Sequence, residues 1–156
     1  MQRLTQLDTL VRQFRAIDNA TVVAAWPNGG YRFGLVSFDG KRYSRSTSSP
    51  LLGLLPWKSE PADSSDRALW GRGVTRQAVE TFVAGMRAGG VVAIVREGSH
   101  GVRVVLQGAI GDNEAGLLFL PSKLPPPVFS GVELLDGRRY LGGELVAPGI
   151  YFYMST

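Results

Sequence analysis

Few side chains in this sequence are of types that do chemistry, and their spacing limits what they can do. There is one histidine and no cysteine. The absence of cysteine removes disulfides, thiolate metal sites, iron–sulfur clusters and cysteine nucleophiles together. A single imidazole removes any mechanism that needs two. His100 follows Ser99 inside a Gly-flanked turn, where neighbouring side chains diverge, whereas hydrolysis needs a histidine held against the nucleophile by a third group. The pair reads as an exposed turn. Asp112 and Glu114, in Gly-Asp-Asn-Glu-Ala-Gly, offer oxygens to a hard cation, but a calcium loop needs more carboxylates at regular spacing. That run reads as a polar hairpin turn, and the expectation is of no catalytic residue, no metal and no cofactor.

Three sets of residues are better suited to binding. Gly71, Arg72, Gly73, Thr75 and Arg76 open a helical pattern, where free backbone N–H groups, the helix dipole and two guanidiniums would suit a phosphate or carboxylate. No strand pattern leads into this run and it has no P-loop lysine, so neither nucleotide motif is met; the alternative is a capped helix start with solvated arginines. The second set is basic and aromatic. Lys41, Arg42, Tyr43 and Arg45 follow one Asp-Gly turn, and Arg138, Arg139 and Tyr140 follow another. Rings that stack on bases beside cations that hold phosphates would suit single-stranded nucleic acid, whereas an ordinary amphipathic strand would turn the rings inward and the charges to water. The third set is apolar: Leu51, Leu52, Leu54, Leu55 and Trp57 lie between Ser- and Pro-rich stretches, outside any helical or strand period. Exposed, they would form a docking surface; buried, they would cap the core. The final run Ile150 to Met154 poses a similar choice, between a central strand and an edge strand open to another chain.

The elements that must carry these sets can be read from periodicity. Leu4, Leu7, Leu10, Val11, Phe14 and Ile17 recur at helical spacing, and so do Val79, Phe82, Val83 and Met86 after the capping residue Thr75. Helices are expected at Leu4 to Ile17 and Thr75 to Ala88, the second stopped by Gly89-Gly90. Strands are expected at Thr21 to Trp26, Tyr31 to Phe38, Lys41 to Arg45, Val91 to Arg96, Val102 to Gln107 and Leu117 to Leu120, with Asp39-Gly40 as a two-residue hairpin turn. The unbroken apolar run Val91 to Val95 implies burial on both faces of a sheet. Between Ser46 and Gly73 regular pattern is lost, and a loop that long is more often functional than accidental. After the Pro-rich link Pro121 to Pro127, a β-meander is expected from Val132 to Met154.

The first 45 residues resemble residues 74–120: each run has a helix followed by three strands, with Val22-Val23-Ala24 matching Val91-Val92-Ala93 and Arg32 resembling Arg103. The expectation is one α+β domain over residues 1–156, with two amphipathic helices on one face of a largely antiparallel sheet. Units 1–45 and 74–120 would repeat an αβββ pattern, and a C-terminal meander would span residues 128–156. A composition of 44% hydrophobic and 19% charged residues belongs to globular chains. The net charge of +4 favours a polyanion partner mildly, since 14 of the 17 basic residues are arginine and composition alone can produce that excess. The N-terminus lacks the apolar core of a signal peptide and no eighteen apolar residues run together, so a soluble, cytoplasmic chain without a membrane partner is expected. The leading functional expectation is a non-enzymatic interaction module that docks on a protein partner or on itself. The alternative is a single-stranded nucleic-acid-binding module using the basic hairpins, and an enzymatic site for an anionic substrate at Gly71 to Arg76 ranks last.

Overall fold

The structure, a computed structural model, describes residues 1–17, 20–46, 57–98, 101–109, 112–121 and 140–155. The N-terminal apolar stripe folds into helix α1 (Gln2–Arg15), which buries Leu7, Leu10, Val11 and Phe14. Two more helices follow, the short α2 (Asp66–Trp70) and the longer α3 (Arg76–Ala88). Helix α3 buries Val79, Phe82, Val83 and Met86, and Thr75 caps it by accepting a hydrogen bond from the Ala78 backbone N–H at 3.1 Å. The two long helices pack on the same face of one sheet, and their Phe14 and Phe82 rings stack with centroids 6.5 Å apart.

The strands are β1 (Val22–Ala25), β2 (Tyr31–Phe33), β3 (Val36–Phe38), β4 (Tyr43–Ser46), β5 (Trp57–Ser59), β6 (Ala93–Glu97), β7 (Gly101–Ala109), β8 (Asp112–Phe119), β9 (Tyr140–Ala147) and β10 (Ile150–Ser155). Among the described residues they form one antiparallel sheet in the order β5-β4-β3-β2-β1-β6-β7-β8-β10-β9. The fold is α+β. The seam is the β1–β6 pair, where Ala24 stands opposite Ala93; these two alanines end the matching Val-Val-Ala triplets. Strand order runs outward symmetrically from there, through β2, β3 and β4 on one side and β7, β8 and β10 on the other. Arg32 and Arg103 do not hold equivalent places, however. Arg32 lies opposite Ala24, whereas the residue opposite Ala93 is Val105.

Alternation along the strands divides the sheet into two faces. Val23, Ile94, Val104, Leu117 and Phe119 meet the helices, and Val22, Ala24, Val95, Val105, Leu118 and Tyr153 on the opposite face are buried as well. The continuous apolar run in β6 reflects this double burial. Sequence and structure part at four places. Tyr31 to Phe38 is two strands, because Gly34 at φ +61° and Leu35 turn the chain back and put Leu35 at a hairpin tip. The Asp39-Gly40 hairpin has a longer loop in which the Asp39 carboxylate accepts from the Lys41 and Arg42 backbone N–H groups, both at 2.8 Å, holding its pKa below the usual range. The patternless stretch contains β5 and α2. Strand β8 begins at Asp112, where a turn to Gly116 was expected. Gly116 lies deep in the sheet, where a Cβ would fall 1.9 Å from the Val104 carbonyl oxygen. At the C-terminus β10 sits between β8 and β9, so the last strand of the chain is interior.

Replacing Phe14 or Phe82 with Ala should each cost about 3–5 kcal/mol, as for buried aromatics in general. Because the rings stack on each other, the double replacement should cost less than the sum of the two. Urea denaturation of the three variants measures both quantities, and unchanged midpoints would show that the helices do not bury these faces.

Candidate functional site

The basic and aromatic residues of the first hairpin split into two groups once folded. Tyr43 stacks on Phe38 at 4.7 Å, meets the edge of Trp70 at 5.6 Å and carries the Arg76 guanidinium over its ring at 4.8 Å. Its ring is committed to the protein's own packing and offers no free platform for a base. Tyr31 and Phe33 are core residues. Arg45 is likewise engaged: Nε binds the Glu60 carboxylate at 2.6 Å, and Nη2 donates to the Ala68 and Leu69 carbonyl oxygens at the end of α2. A cation on the last carbonyls of a helix stabilises it through both hydrogen bonds and the dipole. Lys41 and Arg42 remain exposed.

The two basic hairpins do not converge. β4 and β9 lie towards opposite ends of the sheet with seven strands between them, a separation of roughly 40 Å at the usual strand spacing. Tyr140 begins β9, while Arg138 and Arg139 lie outside the described residues. Lys41, Arg42 and Tyr43 instead share a cleft of about 520 Å³ with Arg76, from the expected anion-binding set. Glu60 and Glu80 line the same cleft and offset most of its positive charge.

The start of α3 has an anion of its own. The Asp66 carboxylate accepts from the Arg76 backbone N–H at 3.0 Å, and the Thr75 hydroxyl takes the Ala78 N–H. Two of the donors that would meet a phosphate there are therefore occupied. Gly71 closes α2 at φ +87° with its N–H on the Arg67 carbonyl, Gly73 adopts φ +83°, and Arg72 is exposed between them.

Glu114, read in sequence as part of a polar turn, is fully buried on β8 and pairs with Arg103, itself fully buried on β7. Glu97 approaches the same guanidinium at 3.4 Å, and the Tyr153 hydroxyl donates to Glu114 at 3.4 Å. Glu114 is therefore held by a cation and a hydroxyl. A lone arginine inside the apolar run Val102 to Leu106 was the sequence signal for such a pair, but its partner depends on strand register. Among the described residues no group of three His, Cys, Asp or Glu side chains is placed to hold a metal ion. Ser99 and His100 lie outside the described residues.

Of the apolar set, Leu51, Leu52, Leu54 and Leu55 also lie outside the described residues, and Trp57 is placed by its backbone alone, opposite Ser46 at the start of β5. A different apolar surface emerges on the C-terminal hairpin. The exposed large hydrophobic residues among those described are Met1, Leu35, Leu145, Val146, Phe152 and Met154. Four of the six belong to β9 and β10. Phe152 and Met154 stand on the helix side of β10, opposite Leu117 and Ala115, at the end of the sheet where they stay exposed. Leu145 pairs with Tyr151 on the other face and is 61% exposed. From Tyr140 to Ser155 the hairpin carries one charge, Glu144. The sequence signal was the run Ile150 to Met154; its exposure depends on how far the helices reach across the sheet.

Two outcomes test these assignments. Glu114→Gln leaves the Arg103 charge buried with a weakened partner and should cost about 3–5 kcal/mol, whereas Arg103→Met combined with Glu114→Leu should recover most of that loss; equal losses in a thermal melt would refute the pairing. Tyr31 has its phenol pKa raised well above the ordinary range, first by burial and then by its hydrogen bond with Tyr43 at 3.2 Å. Since the folded pKa exceeds the unfolded value, this contribution is intact below about pH 10 and is lost as pH rises beyond it. Tyr31→Phe should therefore move the midpoint of alkaline unfolding upward, as followed by circular dichroism. Compared with known proteins, the chain matches no family model, no curated protein and no solved structure.

Proposed function

We propose that this chain is a binding module that acts by docking through its C-terminal hairpin, and that the surface it docks on is a second copy of itself. The observation that carries the reading is the concentration of Leu145, Val146, Phe152 and Met154 on β9 and β10, whereas none of the large apolar side chains described on the other strands is exposed. Large apolar groups gathered on one sheet end are an association surface, because water is excluded from them only when another surface covers them.

Self-association fits the charge pattern. Two copies each bearing +4 repel over most of their surface, but the hairpin carries only Glu144 and brings no cation to the contact. A two-fold contact also places the same patch against itself, so apolar meets apolar without a further partner. Nucleic-acid binding has less support: the Tyr43 ring is engaged by Phe38, Trp70 and Arg76, Arg45 is engaged, and Lys41 and Arg42 are left as a pair of exposed cations beside two carboxylates.

The experiment is sedimentation equilibrium across a concentration series. The wild-type chain should dimerise, and Phe152→Asp or Met154→Asp should weaken the dimer by about thirtyfold or more, the effect of losing a dominant contact of 2 kcal/mol. Both positions are exposed, so thermal stability at low protein concentration should be nearly unchanged. A wild-type chain that remains monomeric at millimolar concentration would rule out self-association, and a dimer indifferent to both substitutions would place the contact elsewhere.

A further inference from the structure

A second surface, remote in sequence from the C-terminal hairpin, has the make-up of a small-molecule site. Beneath the β2–β3 turn lies a cavity of about 330 Å³, bounded by the end of α1, the turn itself, α2 and the link to α3. Its apolar lining includes Phe33, Leu35, Leu69, Trp70 and Val74. Two arginines, Arg45 and Arg67, complete the charged part of that lining, and no acidic residue belongs to it. Arg45 is already neutralised by Glu60 at 2.6 Å and anchored on the α2 carbonyls. Arg67 is exposed and forms no ion pair among the described residues.

We propose that this cavity binds a small monocarboxylate with an apolar body, the hydrocarbon seated among Phe33, Leu69, Trp70 and Val74 and the carboxylate held by Arg67. The volume is at the lower end of ligand pockets and accommodates a ligand of roughly ten heavy atoms. Apolar walls with one available guanidinium and no opposing carboxylate are complementary to that class. They disfavour a cation, which would meet uncompensated positive charge, and a neutral chain would leave the guanidinium without a partner. Leu35 borders the cavity from the hairpin tip and is 39% exposed; a bound chain would cover it.

Octanoate is the probe, with 1-octanol and octylamine as uncharged and cationic controls. The reporter is the Trp70 indole N–H resonance, assigned by its loss in Trp70→Phe; this group is buried without an acceptor among the described residues, so its shift reads the cavity wall. Octanoate should shift it saturably with one-to-one stoichiometry, and both controls should bind at least about tenfold more weakly. Arg67→Gln should weaken octanoate by about tenfold or more, as expected for losing a charge-assisted contact, and leave octanol unchanged; Arg67→Lys should recover part of the loss. Phe152→Asp should not alter octanoate affinity, which separates this site from the docking hairpin. Equal affinity for octanoate and octanol, insensitivity to Arg67→Gln, or shifts confined to Phe152 and Met154 would each overturn the assignment, as would no saturable shift at millimolar octanoate.

Discussion

The pairing of β1 with β6 holds the molecule together. Val22, Val23 and Ala24 lie opposite Val95, Ile94 and Ala93, residues far apart in sequence, and this single seam joins two sets of locally connected strands into one sheet. Without it, α1 and α3 would have no common surface to cover. With it, Phe14 and Phe82 meet over the seam and the two strand sets share one core. Such non-local pairing is costly in chain entropy before it is rewarded by burial. The reward is large here because the seam strands are buried on both faces.

The same double burial explains what became of the arginines. Strands buried on both faces near the seam have little solvated surface to spare, and several cations are drawn into the construction of the fold. Arg103 lies beside Glu114 and Glu97. Arg96 reaches back to the Phe14, Ile17 and Ala20 carbonyls and so finishes α1. Arg45 does the same for α2. Guanidinium suits these roles because its planar fork can satisfy several acceptors at once and is less strongly hydrated than an ammonium group. A basic composition therefore overstates the positive surface available to a polyanion.

Where the helices stop, apolar surface stays open. Helices α1 and α3 pack at the middle of the sheet, and the strands towards each end must be covered by something else or stay exposed. At the C-terminal end, Phe152 and Met154 stay exposed. Towards the other end, α2 covers Phe33 and Tyr43 with Trp70 and leaves a cavity beside them. The proposed docking surface and the proposed ligand site both lie where a ten-stranded sheet outgrows the two long helices that cover it. Among the described residues no helix is long and apolar enough to cross a membrane.

Local pattern was enough to determine both long helices, because Leu7, Leu10, Val11 and Phe14, and likewise Val79, Phe82, Val83 and Met86, repeat at the helical period and leave one buried face. It also determined the α+β class and the double burial along the Val91 to Val95 run. Tertiary structure decided the rest. A strand's period says which residues share a face but not which strand lies beside it, so the Arg103–Glu114 pair and the interior place of β10 were not legible. Gly34 could have been an ordinary strand residue; only the antiparallel return of β3 on β2 required it to turn. Lys41, Arg42 and Arg76 came to line one cleft, while Tyr140 went to the far end of the sheet, because position in a sheet follows long-range pairing and not proximity in the chain. Exposure of Phe152 and Met154 was decided last, by how far two helices of fixed length reach across ten strands.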